Sequence, residues 1–191
     1  MEEAELAGLI ALGEGPNLEF ESTLRYDLKT GSTNRDLTKV VAKTIAGFLN
    51  AQGGTLLIGV ADDGTLLGVE NDLAILSRQT TDYFENTLRN ALGKYLGVHI
   101  SSVVTVDFAT ANSVQVAVVS CDRHLSPVYI RDNGKLEFYV RDGNSTKPLD
   151  VRAAHEYIAG HFPYEGPGPR PFDGGRCLGS RNSRDATTRS G

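Results

Sequence analysis

Three acidic residues of this 191-residue chain have the types and positions that metal-dependent chemistry requires. Glu14 lies in a break containing glycine and proline, Glu19 in a predicted strand, and Asp62 in a predicted turn after a buried strand. Carboxylates of this kind hold Mg²⁺ or Mn²⁺ together with water and substrate phosphate. A metal ion bound there lowers the pKa of a water molecule and stabilises charge on a phosphate during cleavage. The spacing alone equally permits a solvated loop charge, an exposed strand residue and a turn former.

Basic and hydrogen-bonding residues supply a second candidate function, which is contact with the phosphate backbone that dominates nucleic-acid affinity. Arg141 follows a predicted strand into a glycine turn, and Lys39 and Lys43 are four residues apart on one helical face. The alternatives are a turn that binds its own backbone and a lysine face that is only solvated. The candidate nucleic-acid-binding residues are Arg141, Asn144, Ser145, Arg25, Lys39 and Lys43.

Several common catalytic motifs are missing from the sequence. The patterns G-x-x-x-x-G-K-[ST], G-x-S-x-G and H-E-x-x-H do not occur, which argues against a P-loop and against the enzymes that the other two mark. The spacing between Cys121 and His124 is a weak metal signal, because two ligands alone do not make a zinc site. A net charge of −5 argues against nucleic-acid binding by the whole surface, so any phosphate contact needs a local basic patch.

The elements that must position these residues are centred on one stretch, residues 45–69. It begins as the end of an amphipathic helix, which Gly53 and Gly54 are predicted to stop. Residues 55–60 form a continuous apolar run, typical of a strand buried on both faces. Asp62-Asp63-Gly64 then predicts a turn, and residues 65–69 a second strand that completes a hairpin.

Periodicity and turn signals predict the remaining elements. A polar, exposed loop is expected at residues 24–35, and Asn71 or Asp72 is expected to cap a long helix that reaches about residue 93. Asp150 is expected to cap the last helix. The other predicted helices are 2–12, 36–50 and 151–161, and the other predicted strands are 17–23, 99–108, 113–120, 128–130 and 136–141.

Together these elements predict an α/β (α+β) fold, with a mixed β-sheet and flanking helices in one domain at residues 1–163. Residues 164–191 are rich in glycine, proline and arginine, so we expect a disordered C-terminal tail. No apolar run is long enough to span a membrane. The N-terminus is acidic where a signal peptide is basic, and the two cysteines suggest no disulfide framework, which together favour a cytoplasmic protein.

Four motifs in order resemble the Schlafen-type AlbA-like domain. They are E-x-x-x-x-E-F at residues 14–20, N-x-x-G-G-x-L-L-I-G-V-x-D-x-G at 50–64, G-V at 68–69, and F-Y-V-R-x-G-N-S-T at 138–146. The resemblance covers about residues 12–162. None of the motifs is specific alone, but their combination in this order is. The same family is also catalogued as a divergent AAA-type ATP-binding domain.

The resemblance implies an α/β fold, nucleic-acid binding and, in some members, an endoribonuclease that cleaves tRNA or rRNA. In those members three acidic residues form the metal site, and their motif positions correspond to Glu14, Glu19 and Asp62. The chain departs from the family at Glu21, where lysine is usual. A glutamate there removes a candidate phosphate contact and adds repulsion between carboxylates.

The sequence therefore leaves three functions open. The leading one is a nucleic-acid-binding protein, with RNA or DNA as partner, that acts as a Mg²⁺- or Mn²⁺-dependent endoribonuclease. The second is a non-catalytic DNA-binding or transcriptional regulatory module. The third is an ATP-binding domain, against which the missing P-loop argues. Whether the chain forms a homodimer is also left open.

Overall fold

The computed structural model describes residues 1–162, and within them the chain forms six helices and nine strands. The helices are α1 (Glu3–Leu12), α2 (Leu37–Asn50), α3 (Glu70–Ile75), α4 (Thr81–Leu96), α5 (Val98–Ser101) and α6 (Val151–His161). The strands are β1 (Leu18–Glu21), β2 (Tyr26–Asp27), β3 (Ser32–Thr33), β4 (Gly54–Ile58), β5 (Thr105–Ala111), β6 (Val114–Cys121), β7 (Ile130–Asp132), β8 (Lys135–Asp142) and β9 (Ser145–Leu149). The predicted α/β class is confirmed.

The main sheet has four strands in the order β1-β4-β6-β5 and is mixed, as predicted. Strand β1 runs parallel to β4, whereas β6 runs antiparallel to both β4 and β5. A second, antiparallel sheet has the order β7-β8-β9, and β2 pairs with β3 in a small hairpin. The parallel pairing of β1 and β4 brings the C-terminal ends of both strands to one edge of the sheet.

Strand β4 is buried on both faces, as its continuous apolar run predicts. Leu57 packs in one core cluster with Phe20 of β1, and Leu56 and Ile58 pack in another with residues of α2. Because side chains alternate along a strand, the two clusters lie on opposite faces of the sheet. The strand that precedes Asp62 is thus the centre of the fold.

Helix α2 joins the two sheets. Its apolar side packs on the main sheet through Ile45 and Phe48, and Gly47 faces the second sheet. A side chain at Gly47 would begin 3.1 Å from a methyl group of Thr146, so any larger residue would make the Thr146 side chain shift by a few tenths of an ångström. At the end of α2, Asn50 hydrogen-bonds the backbone at Val128 and Tyr139. These contacts fix the position of β8 relative to α2.

The second strand predicted at residues 65–69 is wrong. Leu66 makes only an isolated bridge to Val60, and the amides of Leu67 and Gly68 both donate to the carbonyl of Gly59, at 2.8 and 2.9 Å. Gly59 and Gly68 have positive φ angles of 101° and 76°, which bend the chain out of the extended conformation. The turn that contains Asp62 is formed, but it does not close a regular hairpin.

The long helix predicted from Asp72 is divided into α3 and α4, and Thr80 rather than Asp72 caps the second of them. Asp72 is 1% exposed and accepts hydrogen bonds from the amides of Leu24, Arg25 and Tyr26 at 2.7–2.8 Å. The polar loop predicted at residues 24–35 is therefore anchored at its start and contains the β2–β3 hairpin. The sequence pattern did not show the contacts of Asp72, because 46 to 48 residues separate Asp72 from these amides.

Two further predictions differ from the structure near the second half of the chain. The strand expected at residues 99–108 begins instead with α5, and only its end belongs to β5. Strand β9 was not predicted, because it contains Pro148, which lacks the amide donor that strands use. The last helix is confirmed, with the Asp150 side chain accepting from the amide of Ala153 at 2.9 Å.

No helix among residues 1–162 has the length and hydropathy that a membrane span requires. The tail predicted at residues 164–191, and with it the domain boundary at residue 163, lies outside the described residues.

Candidate functional site

The three acidic residues singled out by their positions lie in β1 or in the segments next to β1 and β4. Glu19 is in β1 and pairs in register with Leu56 of β4, whereas Asp62 is exposed in the turn after β4. Glu14 lies in the loop between α1 and β1, and its Oε1 accepts a hydrogen bond from the amide of Phe20 at 3.0 Å. The parallel pairing of the two strands therefore explains how residues nearly fifty positions apart approach one another.

Electrostatics shows that these carboxylates act on each other. Burial raises the pKa of Glu19, the hydrogen bond and charge of Arg141 oppose that rise, and the charges of Glu14 and Asp62 add to it. The balance leaves the pKa of Glu19 above its ordinary value. Burial, the largest of these effects, therefore outweighs the stabilisation that Arg141 gives to the ionised form.

A fourth carboxylate, Glu21, belongs to the same group. Burial raises its pKa to about 7, with further contributions from the charges of Glu19, Asp62 and Glu14. The repulsion expected from a glutamate at this position is therefore present in the structure. Sequence reasoning gave Glu21 no part in the site, although residues two apart on a strand share a face. We refer to Glu14, Glu19, Glu21 and Asp62 as the acidic cluster.

Arg141 is the cation that faces the acidic cluster. Its side chain is 2% exposed and donates to Glu19 Oε2 at 2.7 Å and to the carbonyl oxygen of Gly15 at 2.6 Å. It also donates to Thr146 Oγ1 at 3.1 Å, and its guanidinium lies 5.0 Å from the centre of the Phe48 ring. Arg141 thus ties β8 to β1 and to the loop that carries Glu14.

This placement differs from the role predicted for Arg141 in phosphate binding. The guanidinium is buried against Glu19, so in this arrangement it positions a carboxylate and does not face solvent. Asn144 and Ser145 lie just beyond it, exposed in the turn between β8 and β9. Their contact with nucleic acid stays a prediction, and they are the members of that motif that an outside ligand reaches directly.

The remaining candidate cations lie elsewhere. Lys39 is bonded to Asp132 at 2.6 Å and lies 3.5 Å from Glu137, and Lys43 lies 5.2 Å from the centre of the Tyr139 ring. Both lysines lie on one helical face, as their spacing predicts, but that face lines the boundary between α2 and the second sheet and is not simply solvated. Arg25 borders a separate surface cavity of about 530 Å³. The structure does not bring Arg25 together with the two lysines in one pocket.

The acidic cluster fits a divalent cation in its chemistry. Carboxylate oxygens are the ligands that Mg²⁺ and Mn²⁺ prefer, and the charges of Glu14 and Asp62 act on both Glu19 and Glu21, so a cation bound among them would stabilise their ionised forms. Among residues 1–162, however, no three His, Cys, Asp or Glu side chains are gathered closely enough to hold an ion as they stand. Glu19 gives one oxygen to Arg141 instead. Glu14, Glu19, Glu21 and Asp62 would hold the ion.

The family model described as Schlafen, AlbA_2 matches residues 14–150, which span both the acidic cluster and Arg141. The chain belongs to this Schlafen AlbA_2 family. The resemblance of its motifs is thereby confirmed. No curated protein matches the chain.

Two solved structures resemble this Schlafen AlbA_2 domain. The DIP2311 protein from Corynebacterium diphtheriae has a TM-score of 0.57 and 17% identity, over 84% of this chain and 32% of that one. This chain thus spans about a third of that protein, and the likeness shows the fold alone. The second is the N-terminal domain of a protein from Nitrosomonas europaea described as related to the ATP-dependent DNA helicase RecG. It has a TM-score of 0.46 and 19% identity, over 78% of this chain and 92% of that one.

The raised pKa of Glu21 predicts how stability depends on pH. Because the folded pKa of about 7 lies above the reference value of 4.5, the folded state holds the Glu21 proton more tightly than the unfolded chain. This contribution is complete below pH 4.5 and is lost as the pH rises through 7. We expect Glu21→Gln to raise the free energy of unfolding at pH 8 by about 2 kcal/mol, and by much less at pH 5.

Urea unfolding of the wild type and the variant at pH 5 and pH 8 measures this difference. Asp63→Asn is a control, because Asp63 is exposed in the neighbouring turn and its pKa is lowered, chiefly by hydrogen bonds to Thr65. Equal stability changes for Glu21→Gln at both pH values would contradict the assignment.

Proposed function

We propose that this Schlafen AlbA_2 domain binds nucleic acid and cleaves RNA with a Mg²⁺ or Mn²⁺ ion held by the acidic cluster. One observation carries the proposal: four carboxylates lie near enough to act on one another, since the charges of Glu19, Asp62 and Glu14 add to the larger effect of burial in raising the pKa of Glu21 to about 7. Such an arrangement costs stability unless a cation compensates it. Sites of perturbed pKa are also where catalytic groups concentrate.

In this proposal the chain's own residues divide the work between holding the cation and positioning its ligands. Glu14, Glu19, Glu21 and Asp62 provide carboxylate oxygens, and the bound ion supplies a polarised water and stabilises charge on phosphate. Arg141 fixes the orientation of Glu19, because the two terminal nitrogens of its guanidinium donate three hydrogen bonds, to Thr146, Gly15 and Glu19. It is a positioning residue.

Binding of the strand is assigned to exposed and half-buried groups outside the acidic cluster. Asn144 and Ser145 offer side-chain donors at the β8–β9 turn, and Lys39 and Lys43 offer positive charge along α2. Lys39 is partly neutralised by Asp132, which raises the pKa of its ammonium group through their hydrogen bond. If phosphate contacts dominate, the affinity for RNA falls steeply with added salt. A flat salt dependence, or no binding at low salt, would contradict nucleic-acid binding.

A non-catalytic DNA-binding or transcriptional regulatory module is the second candidate. The observation that favours it is the ion pair between Arg141 and Glu19, at 2.7 Å, because the guanidinium occupies an oxygen that a metal ion would need. In that case Arg141 substitutes permanently for the cation. The ATP-binding alternative rests on the family's older label alone. Saturable binding of ATP below millimolar concentration would support it.

The cation site is tested by thermal unfolding with added Mn²⁺. At a concentration ten times the dissociation constant, a bound ion stabilises the folded state by about 1.4 kcal/mol, which raises the melting temperature by roughly 4 °C. We expect this rise in the wild type and its loss in Asp62→Asn. Asp62 is the right position to change because it is exposed and makes no structural ion pair among the described residues.

Asp63→Asn is the matched control for that experiment. It removes the same charge one residue away, from a side chain that bonds the amide of Thr65. We expect this variant to keep the Mn²⁺ effect. Equal loss in both variants would mean that Mn²⁺ responds to overall charge rather than to the acidic cluster. No stabilisation in the wild type would contradict the cation site itself.

A further inference from the structure

A cavity of about 390 Å³ lies on the second sheet's side of the molecule, away from the acidic cluster. Its walls come from three parts of the chain: the end of α4 with α5, the loop at residues 124–129 together with β7, and the start of β8. Ligand pockets in proteins are commonly of this size or larger. The elements that form it are packed against the core, since Ile100, Val128 and Ile130 are at most 3% exposed.

The polar residues that line this cavity carry positive charge and hydrogen-bond donors. Lys94 and Arg131 line it together with His99 and His124, and none of its lining residues is acidic. In a chain with a net charge of −5 such a lining is unusual. Charge complementarity therefore favours an anionic ligand.

Both cations are available to an outside anion. No ion pair within residues 1–162 involves Lys94 or Arg131, in contrast to Lys39. Lys94 instead lies 4.5 Å from the centre of the Tyr95 ring and 3.1 Å from its hydroxyl oxygen. The charge of Lys94 helps to lower the pKa of Asp132, but the Asp132 carboxylate is already bonded to Lys39.

The apolar residues that line the cavity include an accessible aromatic ring, that of Tyr129. Tyr129 is 39% exposed, and its ring is tilted against Phe138 with centres 5.3 Å apart. Leu136, 62% exposed, extends this surface. Aromatic rings in such positions stack on nucleobases of any sequence. Positive charge and a supported ring together match the two halves of a nucleotide.

We infer that this cavity binds one nucleotide unit, with its phosphate on Lys94 and Arg131 and its base against Tyr129. The unit is either a free nucleoside phosphate or an unpaired nucleotide of a strand, since both present the same chemistry. The strand source rests on the proposed function, because it requires that the chain bind nucleic acid. The site itself does not depend on the acidic cluster or on RNA cleavage.

The test is a titration of the full, isotope-labelled chain followed by amide NMR shifts. The probes are AMP, inorganic phosphate, and a short single-stranded oligonucleotide with and without a 5′-phosphate. We expect AMP or the oligonucleotide to shift amides in residues 94–100 and 124–131, and phosphate alone to do so more weakly. No shift there with either AMP or the oligonucleotide would overturn the inference.

Variants separate the phosphate contact from the base contact. Lys94→Ala with Arg131→Ala should weaken binding at least tenfold and flatten its salt dependence, because two phosphate contacts are removed. The control, Arg78→Ala with Arg152→Ala, removes the same charge from exposed positions outside the cavity and should change affinity by less than about twofold. Equal loss of affinity in both double variants would mean that binding depends only on the overall charge of the protein, and it would overturn the inference.

Tyr129→Ala should weaken binding about fivefold with an unchanged salt dependence, whereas Tyr129→Phe should bind like the wild type because its ring still stacks. Equal binding by Tyr129→Ala and the wild type would overturn the base contact. Binding of AMP but no oligonucleotide would identify a free nucleotide as the ligand, and oligonucleotide binding without AMP would identify the strand. A third result is amide shifts in the cavity of a protein that Mn²⁺ does not stabilise and that does not cleave RNA. That result would show that only the function proposed for the acidic cluster fails.

Discussion

Replacing Arg141 with methionine is expected to lower the free energy of unfolding by about 3 kcal/mol, near the low end for breaking a buried ion pair. The guanidinium side chain is 2% exposed, and the Glu19 side chain that it binds is 18% exposed. Methionine fills part of the space but leaves the Glu19 carboxylate and the Gly15 carbonyl without their donor. Chemical denaturation at pH 7 measures the loss.

Two comparisons show whether this loss belongs to the ion pair. Arg152→Met removes an exposed arginine that pairs with Glu156 on α6, and should cost less than about 0.5 kcal/mol. Combining Arg141→Met with Glu19→Gln should recover part of the stability, because no unpaired carboxylate then remains at position 19. A cost below 1 kcal/mol for Arg141→Met alone would show that the pair does not organise this edge of the sheet.

Asn50→Ala is expected to destabilise the fold by about 3 kcal/mol, because each buried polar group left without a partner costs on the order of 1 kcal/mol or more. Asn50 is 0% exposed, donates to the carbonyls of Val128 and Tyr139, and accepts from the amide of Val128, each at 2.8 Å. Alanine leaves all three backbone groups unsatisfied in the core. The change also loosens the link between α2 and β8, which carries Arg141.

Asn17→Ala is the matched control for Asn50→Ala. The Asn17 side chain makes one hydrogen bond, to the carbonyl of Gly53 at 2.9 Å, and the residue is exposed. Its loss should cost no more than about 1 kcal/mol, since water replaces the partner. Urea midpoints of the two variants give the comparison directly. Similar costs for both variants would mean that the hydrogen bonds of Asn50 do not hold α2 against β8.

The parts of the fold that the sequence predicts well depend on local signals. The face of α2, the double-sided burial of β4 and the Asp150 cap each follow from residues within one element. Burial periodicity and capping are determined by neighbours in the chain, so a single sequence contains the information. The predicted turn at Asp62 has the same local origin.

The predictions that failed depend on contacts between distant residues. Asp72 is a good helix cap by sequence, but 46 to 48 residues separate it from the amides that it binds. The strand at residues 65–69 fails for a local reason instead, because Gly59 and Gly68 bend the chain. No periodicity encodes such pairings, and propensity gives way to tertiary contacts when the two conflict.

The same division holds for the candidate site. Glu14, Glu19 and Asp62 were placed in a loop, a strand and a turn, and the structure puts them there. The pairing of Arg141 with Glu19 spans 122 residues and could not be read from the pattern, so Arg141 was given a role in solvent that its burial does not favour. Glu21 was recognised as a departure, but its membership of the cluster requires the strand geometry.

The most direct test of the proposed function is incubation of structured RNA with the purified chain in Mn²⁺ or Mg²⁺ and in EDTA. Asp62→Asn and Asp63→Asn are assayed beside the wild type. Asp62 is preferred to Glu19 because changing Glu19 would also leave the buried Arg141 without its ion-pair partner. We predict cleavage by the wild type and Asp63→Asn only when metal is present, and none by Asp62→Asn. RNA that is bound but left intact by every protein, or cut equally in EDTA, would contradict a metal-dependent nuclease.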